Sequence, residues 1–371
     1  MTILLHELGH AIPAMLLTGG KVTIYVGSYG NRENSQRISL GKLEIWFRYN
    51  FVEWKQGLCS PHAKDISINR QIIYTLCGPL ASLLVAIAML YFAFVFNFNE
   101  LPVFALIIFL ASAVTDIISN LNPTPKPVEL HSGKIIYNDG YALISLFRIK
   151  AERRRTDWIV HKYNLGNYKK AAELSAKLLK TKSASDFMAY RILVSSLCQL
   201  KEYERAYDYY KQFAAKYKPD AHDLSISGFL LCQLGSREEG IIDYKRSLEL
   251  DPDNANTLNN LGYSLILAER YNEALPLLDR SVQLNDTFAY AFNNRGHVKL
   301  MMGLLEDGFE DICRGLSLND TNSYGYRNRG IYYLLKNDPA SAMEEFIKAK
   351  RLDPSTEFIN DHIAEAKRLL N

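Results

Sequence analysis

The residues that could perform chemistry lie at the start of the chain, where His6, Glu7 and His10 form a His-Glu-x-x-His motif in an apolar run. In a helix, residues four apart share a face, so His6 and His10 can present two imidazoles to one metal ion with Glu7 beside them. This layout is typical of zinc hydrolases. A catalytic zinc site uses three protein ligands, so a third ligand must come from elsewhere in the chain.

Four later residues are candidates for that third ligand. Asp116 lies within a long apolar run, where an ionisable side chain is a functional candidate because burying it is costly. Glu129, His131 and Asp139 follow this run. For Asp116 we favour a polar contact that supports another residue or helix, and for Asp139, which precedes Gly140, the alternative is a simple turn.

The elements that must position these residues are apolar enough to be membrane helices. Residues 71–98 contain no charged side chain, and residues 101–120 are interrupted only by Asp116. A full span needs about 20 residues. Residues 1–18 are shorter, and we interpret them as the second half of a span whose beginning lies upstream of Met1. The sequence therefore predicts a three-span membrane core.

Residues 21–70 form a polar connection between the first two spans. Two β-prone stretches, 21–26 and 42–49, flank the turn-rich residues 27–34, and they predict a small antiparallel β-hairpin. The connection contains eight Lys and Arg residues against four Asp and Glu residues. Because such an excess marks a cytoplasmic loop, the N-terminus is expected outside and the C-terminal half in the cytoplasm.

Composition excludes several other classes of function. The formal net charge is only +3, and there is no basic stripe with interleaved aromatic residues, so we expect no nucleic-acid partner. The five cysteines are odd in number and form no Cys-x-x-Cys pair. They are therefore expected to be reduced thiols rather than disulfides or zinc ligands.

The C-terminal part repeats itself with a period of 34 residues. Glycines recur at this spacing at positions 228, 262, 296 and 330, and six repeats fit between about residues 153 and 354. This period resembles the tetratricopeptide repeat, in which paired helices stack into an α-solenoid that binds proteins or extended peptides. Val160 and Val194 replace the glycine in the first two repeats, and residues 357–370 are expected to form a capping helix.

The first helices of these repeats carry side chains that could hydrogen-bond a peptide. These residues are Asn259, Tyr263, Tyr290, Asn293, His297, Tyr324 and Arg327. Tyrosines also pack frequently between helices, so a purely structural role is the alternative.

Three motifs occur in order in the membrane part: His6-Glu-Leu-Gly-His10, Gly78-Pro-Leu-Ala-Ser82, and Asn120-Leu-Asn-Pro123-Thr-Pro125 followed by Asn138-Asp139-Gly140. With these three motifs in this order, residues 1 to about 145 resemble the site-2 protease family of intramembrane zinc metalloproteases. The spacing common in that family would place the aspartate at position 128, so Asp139 follows an insertion of 11 residues, and Asn138 stands where the family has leucine.

The resemblance implies a Zn²⁺ site with His6, His10 and Asp139 as ligands and Glu7 as the catalytic base. His131, Glu129 and Asp116 are then the less favoured third ligands. Asn120 would orient the substrate or the oxyanion, with a helix-end cap as its alternative. The implied substrate is a transmembrane segment of another protein, unwound into a strand that could pair with an edge of the predicted hairpin.

Together these features predict a mainly α protein with two domains. Residues 1–150 would be a membrane-embedded zinc protease domain with a β-hairpin loop, in contact with lipid, and residues 151–371 a tetratricopeptide repeat domain. The predicted function is intramembrane zinc endoproteolysis of membrane proteins, with cytoplasmic repeats that bind a protein or peptide. The expected location is a bacterial cytoplasmic membrane. The alternative is a catalytically inactive, membrane-tethered repeat scaffold.

Overall fold

The computed structural model describes residues 2–50, 52, 54, 57–63, 65–181 and 186–370. Some predicted segments include positions other than these, and those positions lie outside the described residues. The chain divides into two compact units, Met1–Arg155 and Thr156–Asn371.

Three helices form the framework of the first unit: α1 (Thr2–Thr18), α2 (Ile68–Val95) and α3 (Glu100–Leu121). By length and composition, α2 and α3 are the helices of the described chain that could cross a membrane. At about 1.5 Å per residue, the 17 residues of α1 extend about 25 Å, which is less than the roughly 30 Å hydrocarbon core of a bilayer. The described chain thus contains two candidate spans, and the third predicted span, which includes residues 1–18, stays a prediction.

A small sheet follows α1, with strands β1 (Val22–Val26), β2 (Ser35–Leu40), β3 (Leu43–Arg48) and β4 (Gly57–Pro61). The strand order is β2-β3-β1-β4. The predicted antiparallel pairing of 21–26 with 42–49 is wrong, because β1 and β3 pair in parallel and the antiparallel hairpin is β2–β3. Five of the six residues of β2 are exposed, and its apolar residues are limited to Ile38 and Leu40, so its sequence gives only a weak strand signal.

The core of the first unit lies between α1 and the sheet. Ala11 and Ala14 of α1 are fully buried against the apolar side chains of β1, including Val22, Ile24 and Val26. Helix α1 also packs on α2. The helix that carries the His-Glu-x-x-His motif is thus held by two neighbouring elements.

The first unit ends with a short ribbon and the beginning of a long helix. Strands β5 (Val128–Glu129) and β6 (Ile135–Ile136) pair antiparallel, and α4 (Asp139–Asn164) begins directly after them. Asp139 is therefore the first residue of a helix.

The second unit is a row of helices: α5 (Tyr168–Leu179), α6 (Asp186–Gln199), α7 (Tyr203–Lys216), α8 (Ala221–Gln233), α9 (Arg237–Leu250), α10 (Ala255–Ile266), α11 (Tyr271–Leu284), α12 (Ala289–Met301), α13 (Leu305–Leu318), α14 (Ser323–Leu335), α15 (Pro339–Leu352) and α16 (Ile359–Leu370). They form a solenoid of antiparallel helix pairs, as the 34-residue period predicts. The glycines permit close pairing: a Cβ on Gly296 of α12 would lie 2.7 Å from the carbonyl oxygen of Gly308 on α13.

Candidate metal centre

Two histidines of α1 and one aspartate of α4 converge in the first unit. The Nε2 atoms of His6 and His10 are 3.1 Å apart. Oδ2 of Asp139 lies 3.1 Å from Nε2 of His6 and 3.3 Å from Nε2 of His10. Within the described chain, these three side chains form the one group of His, Cys, Asp and Glu residues that could hold a metal ion.

The hydrogen bonds behind the histidines determine which ring nitrogens face the group. Nδ1 of His10 lies 2.7 Å from the carbonyl oxygen of Tyr74, and a carbonyl can only accept, so Nδ1 is the donor. Nδ1 of His6 likewise donates to Oδ2 of Asp116 over 2.8 Å. In the neutral rings, both Nε2 atoms therefore present lone pairs toward Asp139.

The spacing of these atoms fits a tetrahedral zinc ion. Ligand atoms about 2.0–2.1 Å from zinc are about 3.3 Å from one another. The three separations, 3.1, 3.1 and 3.3 Å, are close to this value. Two lone pairs and a carboxylate at such short range repel one another unless protons or a metal cation lie between them. The donor set is thus suited to Zn²⁺, with His6, His10 and Asp139 as the residues that would hold it.

The charge states of the neighbouring acidic groups agree with this arrangement. Burial alone would raise the pKa of Asp139, but hydrogen bonds and positive charge from protonated His10 and His6 outweigh it and lower the pKa to about 2. A metal cation held by the same three side chains would replace those protons and act in the same direction. Burial, together with the charges of Glu7 and Asp139, raises the pKa of Cys59 on β4 well above its usual range. Asp139 is therefore an anionic donor at neutral pH, and Cys59 stays a neutral thiol.

Asp116 and Asn120, both on α3, lie behind His6. Oδ2 of Asp116 accepts from Ser82 over 3.1 Å as well as from His6, and its Oδ1 accepts from Nδ2 of Asn120 over 2.8 Å. Asp116 therefore orients His6 and contacts it on the side away from Asp139. Asn120 also donates to the backbone carbonyl of Asp116, and a role toward substrate stays a prediction.

Asn138 explains how an aspartate after an insertion can reach the histidines. Its Oδ1 accepts from the backbone N–H of Tyr141 in the first turn of α4, and its Nδ2 donates to the carbonyl of Asn122 at the end of α3. Asn138 therefore caps α4 and ties it to α3, which places Asp139 against α1. The insertion itself forms the β5–β6 ribbon, where Glu129 and His131 are exposed and outside the metal-binding group.

Two glycines that sequence reasoning did not assign to the site touch its side chains directly. A Cβ on Gly78 of α2 would collide with the ring of His10, and one on Gly57 of β4 would collide with the carboxylate of Glu7. Glu7 itself is buried, with 6% of its surface exposed. In the sequence, the Gly78-Pro79 motif could have indicated the contact with His10. Nothing near Gly57 in the sequence indicates its contact with Glu7.

Comparisons with known proteins concern the repeats. The tetratricopeptide repeat family model matches residues 243–275, from α9 into α11. The solved Cut9–Hcn1 hetero-tetramer of APC/C is similar, with a TM-score of 0.51 and 14% identity over 81% of this chain and 55% of that chain. No curated protein matches the sequence.

Two further solved structures are similar over about half of this chain. YrrB, described as a TPR protein with an unusual peptide-binding site, shares 22% identity and a TM-score of 0.39 over 53% of this chain and 99% of that chain. MamA from Desulfovibrio magneticus RS-1 shares 24% identity and a TM-score of 0.39 over 46% of this chain and 97% of that chain. The chain therefore contains tetratricopeptide repeats, a scaffold for protein–protein interaction. None of these comparisons identifies a site-2 protease segment.

Proposed function

We propose that this protein is a tetratricopeptide repeat scaffold whose N-terminal unit is a zinc metalloendopeptidase of the site-2 protease type. The observation that supports the catalytic part is the convergence of His6, His10 and Asp139, with separations of 3.1 to 3.3 Å, beside the buried Glu7. Two helices that only packed against their neighbours would have no need to bring three metal-ligand side chains together at this spacing.

A second candidate function is a scaffold without catalytic activity. The comparisons taken alone fit this alternative better, because they identify repeats and no protease. The two candidates share the repeat unit and the apolar helices α2 and α3, and they differ only in what happens at the metal centre. The test must therefore measure metal binding and peptide-bond cleavage separately.

In the proposed reaction, zinc held by His6, His10 and Asp139 would supply Lewis acidity toward a water molecule and the scissile carbonyl. Glu7, which lies on the same face of α1, accepts the proton of the attacking water and passes it to the leaving amine. The bonds to Tyr74 and Asp116 keep the two imidazoles in the orientation that this chemistry requires. Burial of Glu7 limits competition from bulk water.

The proposed substrate is a transmembrane segment that has locally unwound. Strand β4 pairs with β1 on one side, and it is the strand at that edge of the sheet. Because Gly57 of β4 contacts the carboxylate of Glu7, an extended substrate that paired along β4 would run past the catalytic base. This assigns substrate pairing to β4, rather than to the strands of the predicted hairpin.

The proposed location is a membrane, with α2 and α3 as spanning helices and lipid around them. The excess of Lys and Arg between α1 and α2 favours the cytoplasm for the sheet and the repeats. A bacterial cytoplasmic membrane is the compartment that we propose. The repeats would then bind a cytoplasmic protein or peptide that delivers or regulates the substrate.

The decisive experiment compares the full chain with the variant Glu7→Gln, both purified in mild detergent. Zinc content and cleavage of a membrane-spanning test protein are measured on the same samples. We expect about one zinc per chain in both proteins and a loss of cleavage of at least about a hundredfold in the variant, because general-base catalysis contributes factors of this size.

Two outcomes would contradict the enzyme. Absence of zinc from the full chain would rule out the metal centre. Equal cleavage by both proteins would rule out Glu7 as the catalytic base. Zinc binding without any cleavage, tested on several membrane-spanning segments, would favour the inactive scaffold.

A further inference from the structure

The segment that precedes the last helix folds back onto the repeats. We use the term first-helix face for the surface shared by α10, α12 and α14, the first helices of three successive pairs, which contact one another in turn. The hydroxyl of Tyr263 on α10 donates to Oε2 of Glu357 over 2.7 Å, across 94 residues of sequence. Nη1 of Arg327 on α14 donates to the backbone carbonyl of Glu357 over 3.1 Å. Glu357 thus lies on this face, held at both its side chain and its backbone.

The guanidinium of Arg327 makes this face a place for an anion. Arg327 is only 4% exposed, and its Nε and Nη2 donate to the neutral amide oxygen of Asn328 over 3.2 and 3.0 Å. Its carbon Cζ lies 4.9 Å from the ring centre of Tyr324. Burial lowers the pKa of Arg327, and the negative charge of Glu357 acts in the opposite direction. A buried cation of this kind is stabilised by a nearby carboxylate.

Hydrogen-bonding capacity remains unused beside this pair. Nδ1 of His297 on α12 is buried and has no hydrogen-bond partner in the described chain. Buried polar groups without partners are rare in folded proteins, and in a binding site they are the groups that a ligand satisfies.

We propose that the first-helix face around Tyr263, His297 and Arg327 is a binding site for an extended peptide with a glutamate side chain, and that Glu357 occupies it in the absence of that partner. The residues between α15 and α16 then act as a built-in competitor for the partner's acidic segment. The proposal rests on the scaffold part of the proposed function and does not involve the metal centre. Its test therefore needs no zinc and no substrate cleavage.

The probe is a fluorescent synthetic peptide with the sequence of residues 353–361, which reproduces the segment around Glu357. Its binding to the full chain in mild detergent is measured by fluorescence anisotropy. Wild type is expected to bind weakly, because its own Glu357 fills the site, whereas Glu357→Ala is expected to bind at least about tenfold more tightly. A second peptide with glutamine at the position of Glu357 should bind the variant at least about tenfold more weakly than the first, since it has lost the charge.

Matched variants separate recognition from general loosening of the repeats. Adding Tyr263→Phe to Glu357→Ala removes only one hydroxyl and should weaken peptide binding several-fold. Glu310→Ala changes an exposed acid on α13 and should bind the peptide as weakly as wild type. If Glu357→Ala loses its helical circular dichroism signal, Glu357→Gln replaces it with the same expectation.

Two results would overturn the proposal. One is equal affinity of the folded Glu357 variant for the glutamate and glutamine peptides. The other is the absence of any gain in affinity over wild type when Glu357 is removed.

Discussion

Asp116 determines how His6 presents its ring to the metal centre. Its carboxylate accepts from Nδ1 of His6, and Ser82 and Asn120 donate to the same carboxylate. A carboxylate in this position fixes the tautomer of the imidazole and increases the electron density at Nε2. The presence of Asp116 in the otherwise apolar helix α3 is therefore explained by its hydrogen bond with His6.

At this scale we predict the effect of Asp116→Asn on zinc affinity. The amide oxygen can still accept from His6, but the negative charge is lost, so zinc should bind about 10- to 100-fold more weakly without being abolished. Asp139→Asn should cause a larger loss, because it removes a direct anionic ligand. Competition with a zinc-binding dye in detergent measures both effects.

The control for this experiment is Glu129→Gln, which changes an exposed carboxylate on β5. It should leave zinc affinity unchanged. Wild-type affinity in Asp116→Asn would contradict the supporting role, and wild-type affinity in Asp139→Asn would contradict the third ligand.

How far these residues are predictable depends on the distance over which they act. His6, Glu7 and His10 are recognisable because a helix brings residues four apart together. Asp139 required the order of three motifs, since its neighbours are more than 100 residues away in sequence. The capping by Asn138 was not predictable, because it depends on the end of α3 lying against the start of α4.

Helices α1 and α2 can pack closely at the metal centre because one residue of α2 is a glycine. Gly78 of α2 lies against the ring of His10, and the carbonyl of Tyr74, one turn earlier, accepts from the same ring. The backbone of α2 is therefore both the support and the hydrogen-bond partner of this ligand. Only a residue without Cβ allows that approach.

We predict that Gly78→Ala displaces His10 and removes most of the bound zinc, because the added methyl group overlaps the imidazole. Leu84→Ala is the matched control on the same helix, since its side chain is 63% exposed. Zinc content of the two purified variants, measured by atomic absorption, gives the comparison. Full zinc occupancy in Gly78→Ala would contradict the close contact.

The elements differ in how well their patterns predict them. The repeat helices are predictable because the same 34-residue period recurs in successive helix pairs, so each pair supports the prediction of the others. The sheet was only partly predictable: β1 and β3 have β-prone sequences, but β2 is exposed and gives only a weak signal. Strand β2 lies between β1 and β3 in sequence. Because the sequence did not predict β2, the parallel pairing of β1 with β3 could not be anticipated.

In the molecule as a whole, the repeat unit contains a titratable group that affects its stability. Burial, together with the positive charges of Arg327 and His362, lowers the pKa of His297 from 6.5 to about 3. His297 is therefore neutral in the folded chain, whereas in the unfolded chain it takes up a proton near pH 6.5. Below that pH the unfolded state binds more protons, so the free energy of unfolding decreases as the pH falls.

We predict that wild type loses about 2 kcal/mol more stability than His297→Gln between pH 6.5 and pH 5, since the slope for one proton is about 1.4 kcal/mol per pH unit. Urea unfolding of the full chain in mild detergent, followed by circular dichroism, measures the difference. His222→Gln, at an exposed histidine of α8, should behave as wild type. The same pH dependence in wild type and His297→Gln would contradict the assignment.

The bond between Tyr263 and Glu357 also changes how the solenoid comes apart. In an ordinary repeat array each repeat contacts only its neighbours, so the terminal helix frays first and the rest follows step by step. Here Glu357, two residues before α16, is hydrogen-bonded to α10, three helix pairs away. Fraying of the C-terminus must therefore break a contact in the middle of the array. We therefore expect the last three pairs and α16 to unfold together rather than one helix at a time.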